Sequence, residues 1–321
     1  MPVSLDRRQL LVAGGAGIAT SFVSTSSQTA LAAEPAVPSF GYCLNMSTIR
    51  AFDGKGGTPR PIVEQIDIAA KAGYNAIEPW VREVHEYKES GGSMKDLRKQ
   101  IEDGGLTVES AIGFATWIVD DDTKRAEGYE TAKRDMDVLL EMGGKRLAAP
   151  PVGATNQTDL NLFAVAERYR KLLEIGDEIG VVPELELWGF SKSMSRLGEV
   201  MFVAVECGHP AACVLPDVYH IYKGGSDFAG LGLINGASIQ VFHMNDYPAD
   251  PPRDTIGDAD RVYPGDGVAP LGDILRMLHA TGSHCMLSLE LFNREYWKQD
   301  PAEVAKTGLA KMRAAVDAAF A

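Results

Sequence analysis

The chain has 321 residues, of which 45% are hydrophobic and 23% are charged, a composition typical of a globular protein and not of a disordered one. Its formal net charge is −13 at pH 7, so the electrostatic field of the protein repels the phosphate backbones of DNA and RNA. Because no basic stripe offsets this charge, the sequence argues against a nucleic-acid substrate or partner.

The first 33 residues follow the order of an export signal. Arg7 and Arg8 precede an apolar stretch rich in Gly and Ala, and Ala30 and Ala32 then form an A-x-A cleavage motif. The stretch is shorter and richer in Gly than a membrane span, which needs about 20 apolar residues. We therefore predict a twin-arginine signal peptide over 1–33, export to the periplasm or beyond, and no stable membrane span after cleavage. An ordinary N-terminal helix carrying two arginines is the alternative.

From residue 38 onward, eight short runs rich in β-forming residues alternate with stretches of helical apolar spacing. Predicted helices such as "PIVEQIDIAAKAG" and "LFAVAERYRKLLEIGDEIG" end at a Gly that suits a left-handed C-terminal cap. This alternation predicts βα units and a single-domain (β/α)8 barrel over 38–321. An open doubly wound sheet is less favoured, because the segment after the first strand, "GYCLNMSTIRAFDGKGGTP", has no G-x-G-x-x-G motif.

Acidic and imidazole side chains end four successive strands of the predicted barrel, the fifth to the eighth. The active site of such a barrel lies at the C-terminal ends of its strands, so these groups are expected at one rim. Close carboxylates repel each other unless a cation neutralises them. We predict one divalent cation, Mn²⁺ or Mg²⁺ because most donors are oxygens, with Co²⁺ or Zn²⁺ as alternatives. The residues are Glu184 and Glu186 in "PELELWG", Asp217 and His220 in "VLPDVYH", His243 and Asp246 in "QVFHMND", and Glu290 in "LSLELFN".

Two strand ends, those of the second and fifth strands, leave alternatives open. Glu184 and Glu186 have the same strand parity, so only one is expected to reach the metal, and Glu186 is nearer the C-terminal end. Glu78, which ends the second strand, is either a substrate ligand or a salt-bridge partner.

The cysteines lack the spacing of a disulfide framework and are predicted to be buried thiols, namely Cys43, Cys207, Cys213 and Cys285.

Together these motifs resemble those of the xylose-isomerase-like TIM barrels, a superfamily that includes sugar epimerases, hydroxypyruvate isomerase, inosose dehydratase and, more distantly, endonuclease IV. The shared pattern is a Glu closing strand five, D-x-x-H closing strand six, a His closing strand seven, a "GDG" loop and a Glu closing strand eight. The resemblance implies metal ligands at Glu186, Asp217, His243 and Glu290. We also predict substrate contacts from His220, Glu78, Asp246 and Asp266.

The resemblance further implies carbohydrate chemistry, in which Glu186 and Glu290 transfer a proton next to a metal-held carbonyl. We predict a divalent-metal-dependent sugar isomerase or epimerase that acts through an enediolate. The substrate is expected to be an unphosphorylated sugar or keto-sugar, because the rim motifs lack a Gly-rich phosphate cradle and a Lys/Arg cluster. The alternatives are a lyase or dehydratase acting on a keto-sugar, an inosose or a 3-keto-glycoside, and a non-catalytic exported sugar-binding barrel.

The chain also departs from one branch of this superfamily. Epimerases related to tagatose epimerase carry a further Glu after the strand-five ligand, whereas this chain reads "WGFSKSMSR". Arg253 and Arg261 are only loose counterparts of the arginine that follows the strand-seven His in those epimerases. Ketose specificity of that type is therefore not expected. The sequence leaves the oligomeric state open, and a homo-oligomer is one option.

Overall fold

A computed structural model describes residues 40–54 and 57–321 of the chain. The predicted signal peptide, 1–33, lies outside these residues. Within the described part, no helix combines the length and the apolar character needed to cross a bilayer.

Parallel strands form the centre of the molecule. Strands β3, β2, β1, β8 and β7 make one hydrogen-bonded sheet in that order, and β4, β5 and β6 make another. Single parallel bridges, Val108 to Gly144 and Asp217 to His243, join the two sheets at both edges and close the ring. The predicted (β/α)8 barrel is therefore confirmed. The strands are β1 (Gly41–Asn45), β2 (Ala76–Glu78), β3 (Thr107–Val108), β4 (Arg146–Ala149), β5 (Val182–Glu186), β6 (Val214–Leu215), β7 (Val241–Met244) and β8 (Met286–Leu289).

Helices follow the strands and pack around them. The first and last helices contact each other, as the closure of the barrel requires. Short 3-10 helices occur at Met46–Ile49, Phe228–Leu233, Gly236–Ser238, Asp258–Asp260 and Tyr296–Lys298. The α-helices of the described residues are α1 (Ile62–Ala72), α2 (Val81–Glu89), α3 (Met94–Asp103), α4 (Asp122–Glu141), α5 (Leu162–Ile179), α6 (Leu197–Glu206), α7 (Val218–Lys223), α8 (Leu271–Ala280) and α9 (Pro301–Phe320).

Local sequence signals account for several helix ends. Helices α1 and α5 end at Gly73 and Gly180, which have φ values of 90° and 95°, the left-handed conformation that glycine adopts without steric cost. The side chain of Asn161 accepts hydrogen bonds from backbone N–H groups in the first turn of α5. Asp121 caps α4 in the same way, by accepting the backbone N–H of Lys124.

The strand pleat separates polar side chains from apolar ones. On β8, Leu287 and Leu289 belong to the large apolar core, whereas Ser288, which lies between them, hydrogen-bonds to Glu78 inside the barrel. Residues two apart on a strand point to the same face. On β8, the alternation in the sequence therefore places Ser288 in the barrel interior and the two leucines in the outer apolar layer. The predicted buried free thiols are also observed, at Cys43, Cys207, Cys213 and Cys285.

Candidate metal centre

Three strand ends bring an imidazole and two carboxylates together. Glu186 is the last residue of β5, His243 lies near the end of β7, and Glu290 directly follows β8. One ligand atom from each lies within 4.8 Å of those of the other two, and all three residues are buried. Three of the four predicted metal ligands therefore meet at one point, which we call the triad.

Asp217, the fourth predicted ligand, lies beside the triad. Its Oδ2 is 3.7 Å from His243 Nδ1. The carboxylate is already engaged, because Oδ1 accepts the backbone N–H of His220 at 2.7 Å as the N-cap of α7. Its Oδ2 accepts hydrogen bonds from Asn245 Nδ2 at 3.0 Å and Arg261 Nη1 at 3.1 Å. Asp217 thus borders the triad while holding a helix and a loop in place.

The chemistry of the triad suits a divalent cation. Glu186 Oε2 and His243 Nδ1 are buried and have no hydrogen-bond partner among the described residues. Such orphaned polar atoms cost stability unless something else satisfies them. His243 Nδ1 lies 3.2 Å from Glu290 Oε2 and 4.0 Å from Glu186 Oε1. One imidazole nitrogen among carboxylate oxygens is a donor set that divalent metals accept.

A buried carboxylate orients the imidazole from the opposite side. Glu78 Oε2 lies 3.0 Å from His243 Nε2 and also accepts hydrogen bonds from Asn45 Nδ2 at 2.8 Å and Ser288 Oγ at 2.7 Å. With its Nε2–H donated to Glu78, His243 turns the lone pair of Nδ1 toward the triad. Of the two predicted roles for Glu78, the structure therefore supports the ion-pair partner and not the substrate ligand, since Glu78 lies behind His243.

The two triad carboxylates have opposite electrostatic environments. Burial raises the pKa of Glu186 well above its ordinary value. Burial also acts to raise the pKa of Glu290, but the charges of His243 and Arg261 outweigh it and lower that pKa. For His243, burial acts to lower the pKa, yet Glu290 and Glu78 raise it well above its usual range. Without a cation, Glu290 is therefore the ionised carboxylate of the pair, and a bound cation would favour ionisation of Glu186 as well.

Arg261 reaches this site from the loop between β7 and α8. Its Nη1 lies 2.7 Å from Glu290 Oε2, and its side chain is only 1% exposed. Its Nη2 lies 3.1 Å from Nε2 of His220. The sequence identified Arg261 only as a loose counterpart of a family arginine. Its burial could not be predicted, because a loop residue is not part of a periodic hydrophobic pattern.

His220 lines the cavity above the triad, together with Glu186 and Glu290. Burial lowers the pKa of His220, so its imidazole is neutral at pH 7. Its Nδ1 accepts the backbone N–H of Gly189 at 3.3 Å. This placement is compatible with the predicted substrate contact, which stays a prediction.

Two other predicted substrate contacts lie elsewhere. The carboxylate of Asp246 accepts the backbone N–H groups of Gly265 at 3.0 Å and Gly267 at 3.1 Å, so it fixes the "GDG" loop. Asp266 forms an ion pair with Lys311 on α9. Neither Asp246 nor Asp266 is among the described residues that line the cavity. The structure thus engages Asp246 within its own loop and Asp266 with the outer helix layer, and the predicted substrate contacts of both stay predictions.

Aromatic side chains surround the mouth of the cavity and form what we call the aromatic rim. Ring centroids of neighbouring members lie between 5.0 and 6.3 Å apart. Sequence reasoning missed these residues, although a signal was present. An aromatic residue stands two positions after each of three strand-end glutamates, on the same inward parity. The rim consists of Trp80, Phe114, Trp188, Phe190 and Phe292.

Comparisons with known proteins agree with this geometry. The chain is 26% identical over 263 residues to an inosose isomerase of Bacillus velezensis, and the match covers 80% of this chain and 92% of that protein. It is 24% identical over 249 residues to a 3-dehydroshikimate dehydratase of Pseudomonas putida, covering 77% of this chain and 38% of that protein. A crystal structure of the IOLI protein with a bound zinc atom has the same fold, with a TM-score of 0.77 at 21% identity, covering 88% of this chain and all of that one.

A family match extends over most of the barrel. Residues 66–315 fit the family described as the xylose isomerase-like TIM barrel, from the first helix to the last. This range contains β2 to β8 and every member of the triad. The chain is therefore a member of the xylose isomerase-like TIM barrel family.

Proposed function

We propose that this chain is a divalent-metal-dependent isomerase or epimerase that moves a proton at a carbon next to a carbonyl group. Its substrate is an unphosphorylated sugar, keto-sugar or inosose. One observation carries the proposal: Glu186 and Glu290 approach His243 from different strands, their ligand atoms and that of His243 lie within 4.8 Å of one another, and both glutamates line the cavity. Similarity to an inosose isomerase and to a 3-dehydroshikimate dehydratase supports a keto substrate.

The triad, with Asp217 beside it, would hold the cation. A divalent ion there supplies Lewis-acid stabilisation of negative charge on a carbonyl oxygen. The oxygen-rich donor set favours Mn²⁺ or Mg²⁺. Zinc is the alternative, supported by the zinc atom in the IOLI protein structure.

In this proposal, the protein's own groups move the proton. Glu186 is the base of the pair, because it lines the cavity and its Oε2 has no hydrogen-bond partner among the described residues. Glu290 is held as a carboxylate by Arg261 Nη1 at 2.7 Å and Asn45 Nδ2 at 3.2 Å. Return of the proton to the neighbouring carbon gives isomerisation, and return to the opposite face gives epimerisation. Neutral His220 and charged Arg261 line the cavity, where they would orient substrate hydroxyl groups.

A lyase or dehydratase is the second candidate. The same proton abstraction, followed by loss of a β-hydroxyl group or glycosidic oxygen, gives elimination from a keto-sugar, an inosose or a 3-keto-glycoside. Similarity to the 3-dehydroshikimate dehydratase favours this outcome. A non-catalytic sugar-binding barrel would leave the opposed carboxylates without a role.

Solvent deuterium exchange tests the proposal and separates these outcomes. The purified protein, loaded in turn with each of the four metals, is incubated in D₂O with inososes, ketoses, aldoses and 3-keto-glycosides, and the products are followed by NMR. An isomerase or epimerase incorporates deuterium at the α-carbon and retains every hydroxyl group. A lyase also releases water or an alcohol. Absence of exchange with every compound and metal would contradict both enzymatic candidates.

Export by the twin-arginine route is part of the proposal. It rests on Arg7 and Arg8, the apolar stretch after them and the A-x-A motif at Ala30 and Ala32. An exported enzyme would meet substrates outside the cytoplasm, where phosphorylated sugars are expected to be scarce. The proposed location therefore fits an unphosphorylated substrate.

A further inference from the structure

The cavity above the triad is small. Its volume is about 140 Å³, whereas pockets that bury a drug-sized ligand measure roughly 300–1,000 Å³. The side chains of the aromatic rim line it. This cavity has room for the reacting end of a substrate and little else, so a larger substrate must extend beyond it.

A second depression, which we call the outer groove, adjoins this cavity. It has a volume of about 660 Å³ and lies between α2 and α4. Ile112 and Phe114 line both the outer groove and the cavity, so they form a shared wall. Arg82, which lines the groove, places its guanidinium 5.8 Å from the ring centroid of Trp80 in the rim. A ligand that leaves the cavity across Phe114 therefore enters the outer groove.

The lining of the outer groove combines an apolar surface with charges of both signs. Phe114 is 39% exposed and offers its ring as a surface for packing. Two guanidinium groups, of Arg82 and Arg134, stand among the carboxylates of Glu86, Glu89 and Asp135. A sugar hydroxyl group both donates and accepts hydrogen bonds, so closely spaced donors and acceptors suit it. The C–H face of a sugar ring, in turn, packs on an aromatic ring.

The same lining disfavours other occupants. A phosphate or carboxylate group would meet three carboxylates, two guanidinium groups and the imidazole of His85, which already pairs with Asp135 at 2.8 Å, so its charge gains no net attraction. A flat aromatic group would need apolar walls on both sides, whereas the helix faces here carry Arg82, Glu86, Glu89 and Arg134. A neutral, hydroxylated ring satisfies both the apolar surface and the charged sides.

We propose that the outer groove binds a second, neutral glycosyl unit of the substrate, so that the enzyme acts on a disaccharide or sugar glycoside in preference to a free monosaccharide. The inference rests on the proposed function for the ring that reacts in the cavity. It adds a binding site on α2, α4 and the segment after β3, outside the triad.

Equilibrium binding to the metal-loaded full chain tests this proposal without requiring turnover. The probes are glucose, galactose and fructose, compared with maltose, cellobiose, trehalose, lactose and sucrose, each titrated by calorimetry. At least one disaccharide should bind about tenfold or more tightly than its component monosaccharides, the scale expected when a second ring is bound. Hydrogen exchange should then show protection of 82–89 and 131–135 by that disaccharide and not by the monosaccharides.

Matched arginine variants link the gain in affinity to the groove. Arg134→Ala should remove most of the disaccharide advantage and leave monosaccharide affinity unchanged. Arg170→Ala is the control, because Arg170 is also an exposed helix arginine and pairs with Glu174 away from the groove. Equal affinity for monosaccharides and disaccharides, no binding of any disaccharide, or an unchanged advantage in Arg134→Ala would each overturn the proposal.

Failure of this inference and failure of the proposed function give different results. If the protein prefers disaccharides but exchanges the α-proton of no compound, the groove is supported as a glycosyl-binding site and the proposed isomerase activity is contradicted. If the protein exchanges the α-proton of monosaccharides but shows no preference for disaccharides, the isomerase activity is supported and the glycosyl-binding site is contradicted.

Discussion

The Nε2 atom of His243 lies 3.0 Å from Oε2 of Glu78, so the imidazole at the centre of the triad is fixed from behind by a fully buried carboxylate. The opposite nitrogen, Nδ1, is therefore the one that faces Glu186 and Glu290. Carboxylates that hold a metal-binding histidine in this way set both its tautomer and its basicity. This contact gives the first of five predictions.

Glu78→Gln should lower the affinity for the divalent cation by roughly 10- to 100-fold, the range observed when such supporting residues are replaced. The amide of Gln keeps the shape but removes the negative charge that raises the basicity of His243. The measurement is competitive titration of the metal-free protein with Mn²⁺ and Zn²⁺. Asp266→Asn is the control, because Asp266 pairs with Lys311 on the outer layer. Unchanged metal affinity in Glu78→Gln would show that His243 needs no such support.

Two variants of Asp217 separate its structural and metal-binding roles. Asp217→Ala should remove most bound metal and lower the free energy of unfolding by about 1–3 kcal/mol, because buried hydrogen-bond donors lose their acceptor. Those donors are the His220 N–H group, Asn245 and Arg261. Asp217→Asn keeps an oxygen for the helix cap and should retain more stability, yet it should still bind less metal. Full metal occupancy in Asp217→Ala, measured by elemental analysis, would exclude Asp217 as a ligand.

Replacing the triad carboxylates should stop proton transfer. Glu186→Gln and Glu290→Gln each keep an oxygen near the metal but remove a basic site, so turnover should fall by roughly two to four orders of magnitude. The measurement is the rate of solvent deuterium incorporation at the substrate α-carbon, together with metal content. Exchange at the wild-type rate in Glu186→Gln would show that the base is another group, and His220, which also lines the cavity, is the next candidate.

Glu184 should make the stability of the metal-free protein depend on pH. Burial raises the pKa of Glu184 from 4.5 to about 7. Between these values the unfolded chain releases the proton and the folded chain keeps it, so the free energy of unfolding falls by roughly 3 kcal/mol as pH rises and then levels off.

Glu184→Gln should remove this dependence, because an amide does not titrate. Urea unfolding of the metal-free wild type and variant at pH 4.5, 6 and 8 provides the comparison. The variant should gain stability relative to the wild type as pH rises. Parallel pH profiles for the two proteins would indicate that Glu184 has the same pKa in the folded and unfolded states.

Export should depend on the paired arginines near the N-terminus. Changing both Arg7 and Arg8 to Lys should leave the precursor inside the cell, because the twin-arginine route reads these side chains as an address. Cell fractionation followed by mass spectrometry of the N-terminus gives the location and the cleavage position. A processed protein outside the cytoplasm in the double variant would point to a different route.

The barrel and the triad follow from simple regularities in the sequence. Parallel strands place their C-terminal ends at one rim, so Glu186, His243 and Glu290 could be brought together from strand positions alone. Position along β5 separated Glu186, which is nearer the C-terminal end, from Glu184, which is not a member of the triad. Such arguments succeed because strand period and direction act along the whole element.

Loop residues did not follow from the same regularities. Asp246 and Asp266 lie in or near a motif that resembles a family loop, but backbone N–H groups and Lys311 use their carboxylates. The burial of Arg261 depends on how its loop folds back over the barrel, which no period in the sequence records. Phe114 and Phe190 belong to the aromatic rim through loop geometry in the same way.

The single bridge between Asp217 and His243 divides the barrel into a three-stranded segment, β4 to β6, and a five-stranded segment around β1. Glu186 belongs to the first segment, whereas His243 and Glu290 belong to the second. A cation bound by all three would link the two segments at the junction where Asp217 pairs with His243. Binding of the metal would then hold the barrel together as well as supply chemistry, and the shape of the rim would depend on whether the metal is bound.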